Sequence, residues 1–279
     1  MSVKILCLHG MGVNSEVFAI QTASFRALLP KYYQFQFVDA EQFCDPSPGA
    51  AEYFSGPYRC WYTSPSTAGV SRAHQKVEEI IKDQGPFQIV MGFSQGAALA
   101  ASLLLQYELD RLPSPFRAAF FICSPLPFSK TMAHGIDSRT YFGIQSTRAL
   151  TPPRTTTVPP YLIPEDYFLR SDERITNPSP VKSKSASLTT GFAIDKQDEW
   201  SEGPYYNMFH PSVDKVRISL PTAHLYGAAD PWRRHSIDLA EMCTQKVTLK
   251  HGGGHEIPQS ASEEICDLIE ELAAMAGLV

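Results

Sequence analysis

Long hydrophobic runs, basic clusters and paired cysteines are all missing from this chain, and each absence removes a class of protein. No apolar stretch approaches the roughly 20 residues that span a bilayer, so no membrane-spanning helix is expected. Lysines and arginines are scattered, and the formal net charge is −5. That balance gives no electrostatic basis for holding a nucleic acid. Six cysteines are spread over 279 residues, none in a C-x-x-C pair. Disulfide frameworks are denser and belong to smaller chains, so these thiols read as free and the compartment as reducing. The opening residues Met1–Leu8 have neither the charged flank nor the long apolar core of a secretory leader, and the cytoplasm is the expected location. Charged residues make up only 19% against 43% apolar, which supplies a large core and argues against disorder.

What is present alternates between short apolar runs and amphipathic stretches. Lys4–Leu8 is a buried strand broken by His9-Gly10-Met11-Gly12. Ser15–Leu29 has apolar residues at near-helical spacing and is stopped by Pro30. Tyr33–Val38 reads as a second strand, and Cys44–Ser66, rich in proline, glycine and aromatics, as a long surface loop. Gly69–Gln84 is an amphipathic helix, Phe87–Met91 a strand, Gly92–Gly96 a turn, and Ala97–Tyr107 a helix. Ala118–Cys123, Ala223–Tyr226 and Lys246–Leu249 are further strands, and Ser262–Ala276 closes the chain as a helix. Strands that alternate with helices and are apolar along their length imply a mostly parallel sheet covered on both faces.

At about 100–200 residues per domain, the length suits one α/β core carrying an insertion. The core is read as residues 1–124 and 214–279, with 125–213 inserted. Within the insertion, Thr151–Pro160 and the polar run Asn177–Thr190 are unsuited to regular core elements, since proline removes backbone donors and serine and threonine favour loops. Two readings stand side by side: a surface excursion, or a lid over the site, as long loops in compact domains are often functional.

Four motifs carry chemistry. Gly92-Phe93-Ser94-Gln95-Gly96 is a G-x-S-x-G sequence between an apolar strand and a small-residue helix, the setting of a nucleophile elbow in the α/β-hydrolase fold. A serine hydroxyl needs an adjacent base. Of eight histidines, His255 follows the last strand within a glycine-rich loop, on the edge from which it can reach Ser94. His251 lies nearer the strand and reads as structural. The His251–His255 spacing would suit a metal only on a helix, and Gly252-Gly253-Gly254 argues against one, so no metal and no cofactor are expected. Asp230 follows a strand end through Gly227-Ala228-Ala229 and would fix the imidazole tautomer, ahead of Glu202, Asp214 and Asp238. The order Ser94, Asp230, His255 is the order of this fold. The backbone N–H groups of Met11 and Gln95 are candidates for an oxyanion hole, with His9 bracing the first loop.

These motifs resemble a known family, the fungal serine hydrolases called family of serine hydrolases, close to the ovarian-cancer-associated-gene-2 proteins. The resemblance is carried by Ile5 to Asn14 with Phe18, by Gly92 to Gly96, by Leu220 to Pro231 and by His251 to Pro258, and it lapses from about Ser129 to Glu202. It implies Ser94, Asp230 and His255 as the triad. It also implies a role beside polyketide synthases, as an esterase or thioesterase that releases or trims the polyketide, with a carrier-protein-bound chain among the donors.

Phe18, Trp61, Tyr62 and Trp232 lie on segments at the strands' carboxyl ends and are candidates for contacting an apolar or aromatic acyl group. The expected reaction is ester or thioester hydrolysis through an acyl-enzyme. Two rivals use the same scaffold: an acyltransferase, distinguished by products with and without an acceptor, and a small-molecule binding protein without turnover.

Overall fold

A computed structural model of the chain describes residues 2–138 and 206–279. The proline-rich and polar runs of the insertion, and with them the body of the expected lid and Glu202, lie outside the described residues. The first half runs β1 (Val3–Leu8), α1 (Ser15–Gln21), α2 (Ala23–Leu28), β2 (Tyr33–Val38), β3 (Gln42–Phe43), α3 (Ala50–Tyr53), β4 (Arg59–Cys60) and α4 (Thr67–Gln84). Next come β5 (Ile89–Phe93), α5 (Gln95–Asp110), β6 (Ala118–Ile122), β7 (Ile136–Asp137) and β8 (Asn207–Met208). The chain then finishes with β9 (Ile218–Gly227), α6 (Arg233–Glu241), β10 (Cys243–His251) and α7 (Ser262–Met275).

Six of the strands form one sheet in the order β2-β1-β5-β6-β9-β10, and every pairing in it is parallel. Alternation of side chains sorts the core into two layers. Leu6, Leu8, Val90, Ala119 and Phe121 face α4 and α5, meeting Val70, Val77, Leu103 and Leu104. Ile5, Cys7, Met91, Phe120, Ile122 and Leu225 face the other way, onto Phe18, Phe25, Ile265, Ile269 and Leu272. Strand order reverses direction between β1 and β5, the switch point beyond which ligands bind in sheets of this kind. Leu8 and Gly92 are register partners there, so the loops after both strands leave the sheet at one level.

Four sequence expectations change in detail. The single helix over Ser15–Leu29 is two helices, because the Thr22 hydroxyl donates to the Phe18 carbonyl at 2.9 Å, a back-bond that breaks the run. The stretch Cys44–Ser66 is not only surface loop. It holds the helix α3 and the strand β4, which pairs antiparallel with β3 just before the stretch, and Cys60, Trp61, Tyr62 and Ser64 are buried. The strand expected over Ala223–Tyr226 starts earlier, at Ile218, and runs through Pro221. Pairing to β6 begins only at Thr222, so the missing proline donor leaves no gap in that ladder. Its neighbour, expected over Lys246–Leu249, reaches from Cys243 to His251.

The described ends of the insertion belong to the core. β7 and β8 pair with each other, and Leu126, Phe128, Ile136, Tyr206, Met208 and Phe209 are buried in the layer under α5. Asp214 accepts the Gly135 N–H and the His210 N–H, both at 3.0 Å, tying the two ends together.

Candidate active site

Ser94 occupies a backbone conformation that L-residues avoid, with φ 50° and ψ −118°, directly between β5 and α5. The turn is enforced by close approach. A Cβ at Gly92 would stand 2.4 Å from the Ala97 nitrogen, and one at Gly96 would stand 2.2 Å from the Leu8 carbonyl oxygen. Only glycine at both positions lets the strand, the helix and the loop after β1 meet here. The Ser94 N–H donates to the Ile122 carbonyl at 2.9 Å, fixing the turn to β6.

His255 and Asp230 arrive from β10 and β9, and the structure brings them to Ser94. The His255 Nδ1 lies 3.1 and 3.0 Å from the two Asp230 carboxylate oxygens, and its Nε2 lies 2.8 Å from the Ser94 hydroxyl. A carboxylate only accepts, so Nδ1 carries the proton and Nε2 is left to accept from the serine. Asp230 is buried and also accepts the Trp232 N–H at 2.7 Å. Burial alone would raise its pKa. The His255 hydrogen bond and charge, the Trp232 N–H and the Cys123 thiol outweigh that and hold the carboxyl below its ordinary value. Ser94 and His255 are half-buried, while the Phe93 ring lies 5.2 Å from the imidazole and backs it.

The loop after β1 packs against the elbow. His9 is buried, its Nδ1–H donating to the Gly10 carbonyl at 2.7 Å and its Nε2 accepting the Ala40 N–H at 3.1 Å. Burial lowers its pKa, which keeps it neutral and suited to that bridging role. Among the described residues the Met11 N–H has no hydrogen-bond partner, and the Gln95 N–H opens α5, where no intrahelical acceptor exists.

The aromatic candidates divide. Phe18 is fully buried behind Phe93 and edge-on to Phe37 at 5.5 Å. Trp61 and Tyr62 are also buried, Trp61 against the His9 ring at 5.3 Å and Tyr62 edge-on to Phe128 at 6.4 Å. Trp232 alone of the four is half-exposed, beside Asp230 and edge-on to His235 at 4.9 Å. His251 is buried at the end of β10 and accepts the Gly253 N–H at 3.2 Å. Asp238 faces His210 at 3.6 Å and Arg234 at 3.1 Å, away from this cluster.

One residue at the site escaped the sequence reading. Cys123 ends the β6 run with φ 49°, and its thiol donates to the Glu256 carbonyl at 3.5 Å. Cys123, Asp230 and His255 each bring a ligand-type atom within 4.8 Å of the others. Burial and the neighbouring carboxylate push the thiol well above its ordinary value, so it stays protonated, a weak metal ligand and a serviceable donor. The signal available in sequence was a polar-capable residue at the carboxyl end of an otherwise apolar strand.

The sheet order and the turn at Ser94 place the chain among the serine hydrolases of the α/β-hydrolase fold. The family model described as Serine hydrolase (FSH1) matches residues 1–265, and the chain belongs to that family. The match runs across residues 129–202, where the sequence motifs give out. Among curated relatives, Esterase alnB of Emericella nidulans is 29% identical over 93% of this chain and 92% of its own. Esterase FPY3 of Fusarium mangiferae is 29% identical over 95% and 93%. Among solved structures, the type II thioesterase BorB from the borrelidin biosynthetic cluster aligns at 15% identity over 98% of this chain and 91% of its own, with a TM-score of 0.48. Among the described residues, no helix is long and apolar enough to cross a membrane.

Proposed function

We propose that this chain hydrolyses a small-molecule ester or thioester through an acyl-enzyme on Ser94. The observation that carries the reading is the continuous hydrogen-bond chain from the Ser94 hydroxyl through His255 to the buried Asp230. In the first step His255 Nε2 takes the hydroxyl proton as Ser94 Oγ attacks the carbonyl carbon. The oxyanion develops against the Met11 and Gln95 N–H groups, and the imidazolium is stabilised by ionised Asp230. The histidine then gives its proton to the departing alcohol or thiol. Water enters, is deprotonated by the same nitrogen, and attacks the acyl carbon. The tetrahedral species collapses, the free acid leaves and the proton returns to Ser94.

Trp232, half-exposed beside Asp230, is the aromatic residue we assign to acyl-chain contact, whereas Phe18, Trp61 and Tyr62 are buried. The names of the relatives favour ester substrates, and the family resemblance makes a polyketide acyl chain, free or carrier-bound, the first class to try. The test is labelling with a fluorophosphonate, read by intact mass and peptide mapping. One adduct on Ser94, absent from Ser94→Ala, is the expected result. An unlabelled wild type, under conditions that label a control hydrolase, would overturn the proposal in favour of a binding protein.

A further inference from the structure

Of the residue that follows the nucleophile, the oxyanion uses only the backbone N–H. Here that residue carries a long polar side chain, and it is buried at 3% exposure. The Gln95 Oε1 accepts the Trp61 N–H at 2.9 Å, and its Nε2 donates to the Tyr62 carbonyl at 2.7 Å. The Trp61 indole N–H in turn donates to the His9 carbonyl at 2.9 Å. The chain of bonds therefore starts at one oxyanion residue, passes through Trp61 and ends two residues before the other, Met11.

We infer that Gln95 and Trp61 are positioning residues whose side chains fix the separation of the two backbone N–H groups that receive the oxyanion. The inference rests on the serine-hydrolase reading of the same site. The β3–β4 pair holds the far side of the loop: the Gly12 N–H donates to the Arg59 carbonyl at 3.0 Å, and the Arg59 N–H donates to the Val13 carbonyl at 2.8 Å. Trp61 follows that pair directly, so the loop carrying Met11 is gripped from β4 on one side and from Gln95 on the other. Preorganised donors act on the barrier, and losing one outright costs about 10²–10³ in kcat. A brace that keeps two donors convergent therefore registers in turnover and in oxyanion binding together.

The test compares wild type with W61F, which keeps an aromatic side chain but deletes the indole N–H with its five-membered ring, and with Q95M, which keeps the volume and deletes both Gln95 side-chain bonds. Ester turnover is measured alongside inhibition by a trifluoromethyl ketone, whose adduct with Ser94 places an oxyanion where the substrate's would form. The expected result is a fall in kcat of about 10–100-fold with KM within about twofold, and ketone affinity weakened by the same factor as kcat/KM. Three results would overturn the inference: both variants turning over within about twofold of wild type, kcat falling while ketone affinity holds, or both variants losing the fold, as a purely structural buttress would. Wild-type turnover, abolished in Ser94→Ala, reports on the underlying reading separately, since the brace is judged on the ratio of each variant to an active wild type.

Discussion

Two glycine-containing loops deliver the two halves of the site, and they do so by different physics. Around Ser94 the glycines are compelled: added Cβ atoms at Gly92 and Gly96 would sit 2.4 and 2.2 Å from backbone atoms of neighbouring elements. Around His255, positions Gly252 and Gly254 have nothing within 4 Å of where a Cβ would lie. Gly253 falls between, since its Cβ would meet the Glu256 carboxylate oxygen at 2.0 Å, the movable end of a side chain. The nucleophile's own glycines are thus closed in by the fold. The base loop is held from β9 instead: the Ala228 N–H donates to the His251 carbonyl at 2.8 Å and the Ala229 N–H to the Gly253 carbonyl at 2.9 Å, and a Cβ at Gly227 would stand 2.1 Å from the Gly254 carbonyl oxygen. The hydrogen bonds of His255 to Asp230 and Ser94 then aim the imidazole.

The largest effect on this contrast comes from deleting the nucleophile. Ser94→Ala should lower kcat by about 10⁴–10⁶-fold while leaving the melting temperature at or above that of wild type, as measured by ester turnover and thermal unfolding. Next in size, Gly96→Ala should destabilise by about 3 kcal/mol or more, read by urea unfolding, because a backbone oxygen has to move.

Acid tests whether both halves fail together. His74, at the α4–α5 contact, is held at about 3, and His235, beside Trp232, at about 4, both by burial. His224 in β9 is likewise held at about 3. Their unfolded counterparts titrate near 6.5, so below that pH the unfolded chain binds more protons than the folded one. Stability should fall as pH drops from about 6.5 toward 4, with a slope approaching ~1.4 kcal/mol per pH unit for each histidine. Urea unfolding across that range measures it, and a slope near zero would contradict the buried-neutral assignment. The smallest effects belong to the base loop. Gly252→Ala and Gly254→Ala should stay within about 0.5 kcal/mol of wild type in stability and within about twofold in kcat/KM. If either proved as damaging as Gly96→Ala, the contrast between the loops would be lost.

Much of the site was legible because its chemistry constrains sequence. Gly92 and Gly96 have no room for another residue where strand, helix and a third backbone converge, and Asp230 and His255 follow β9 and β10 at the edge where Ser94 emerges. The layered sheet was legible for a similar reason, since continuous runs such as Ala118–Ile122 can only be buried on both faces. What stayed hidden depends on partners remote in sequence. The brace from Gln95 to Trp61 and on to His9 joins residues 34 and 52 positions apart. The β3–β4 pair is two residues per strand, too short for any periodicity to announce. Three of the four aromatics singled out for substrate contact are buried, because hydropathy alone does not tell a pocket wall from the core behind it.

The most direct measurement is to trap the acyl-enzyme. The protein is mixed with a p-nitrophenyl acyl ester, quenched in acid within the first turnovers, and digested for mass mapping. A mass increment equal to the acyl group is expected on the peptide carrying Ser94, appearing with a burst of p-nitrophenol and absent from Ser94→Ala. Turnover that proceeds with no burst and no adduct, and that survives in Ser94→Ala, would contradict an acyl-enzyme on Ser94.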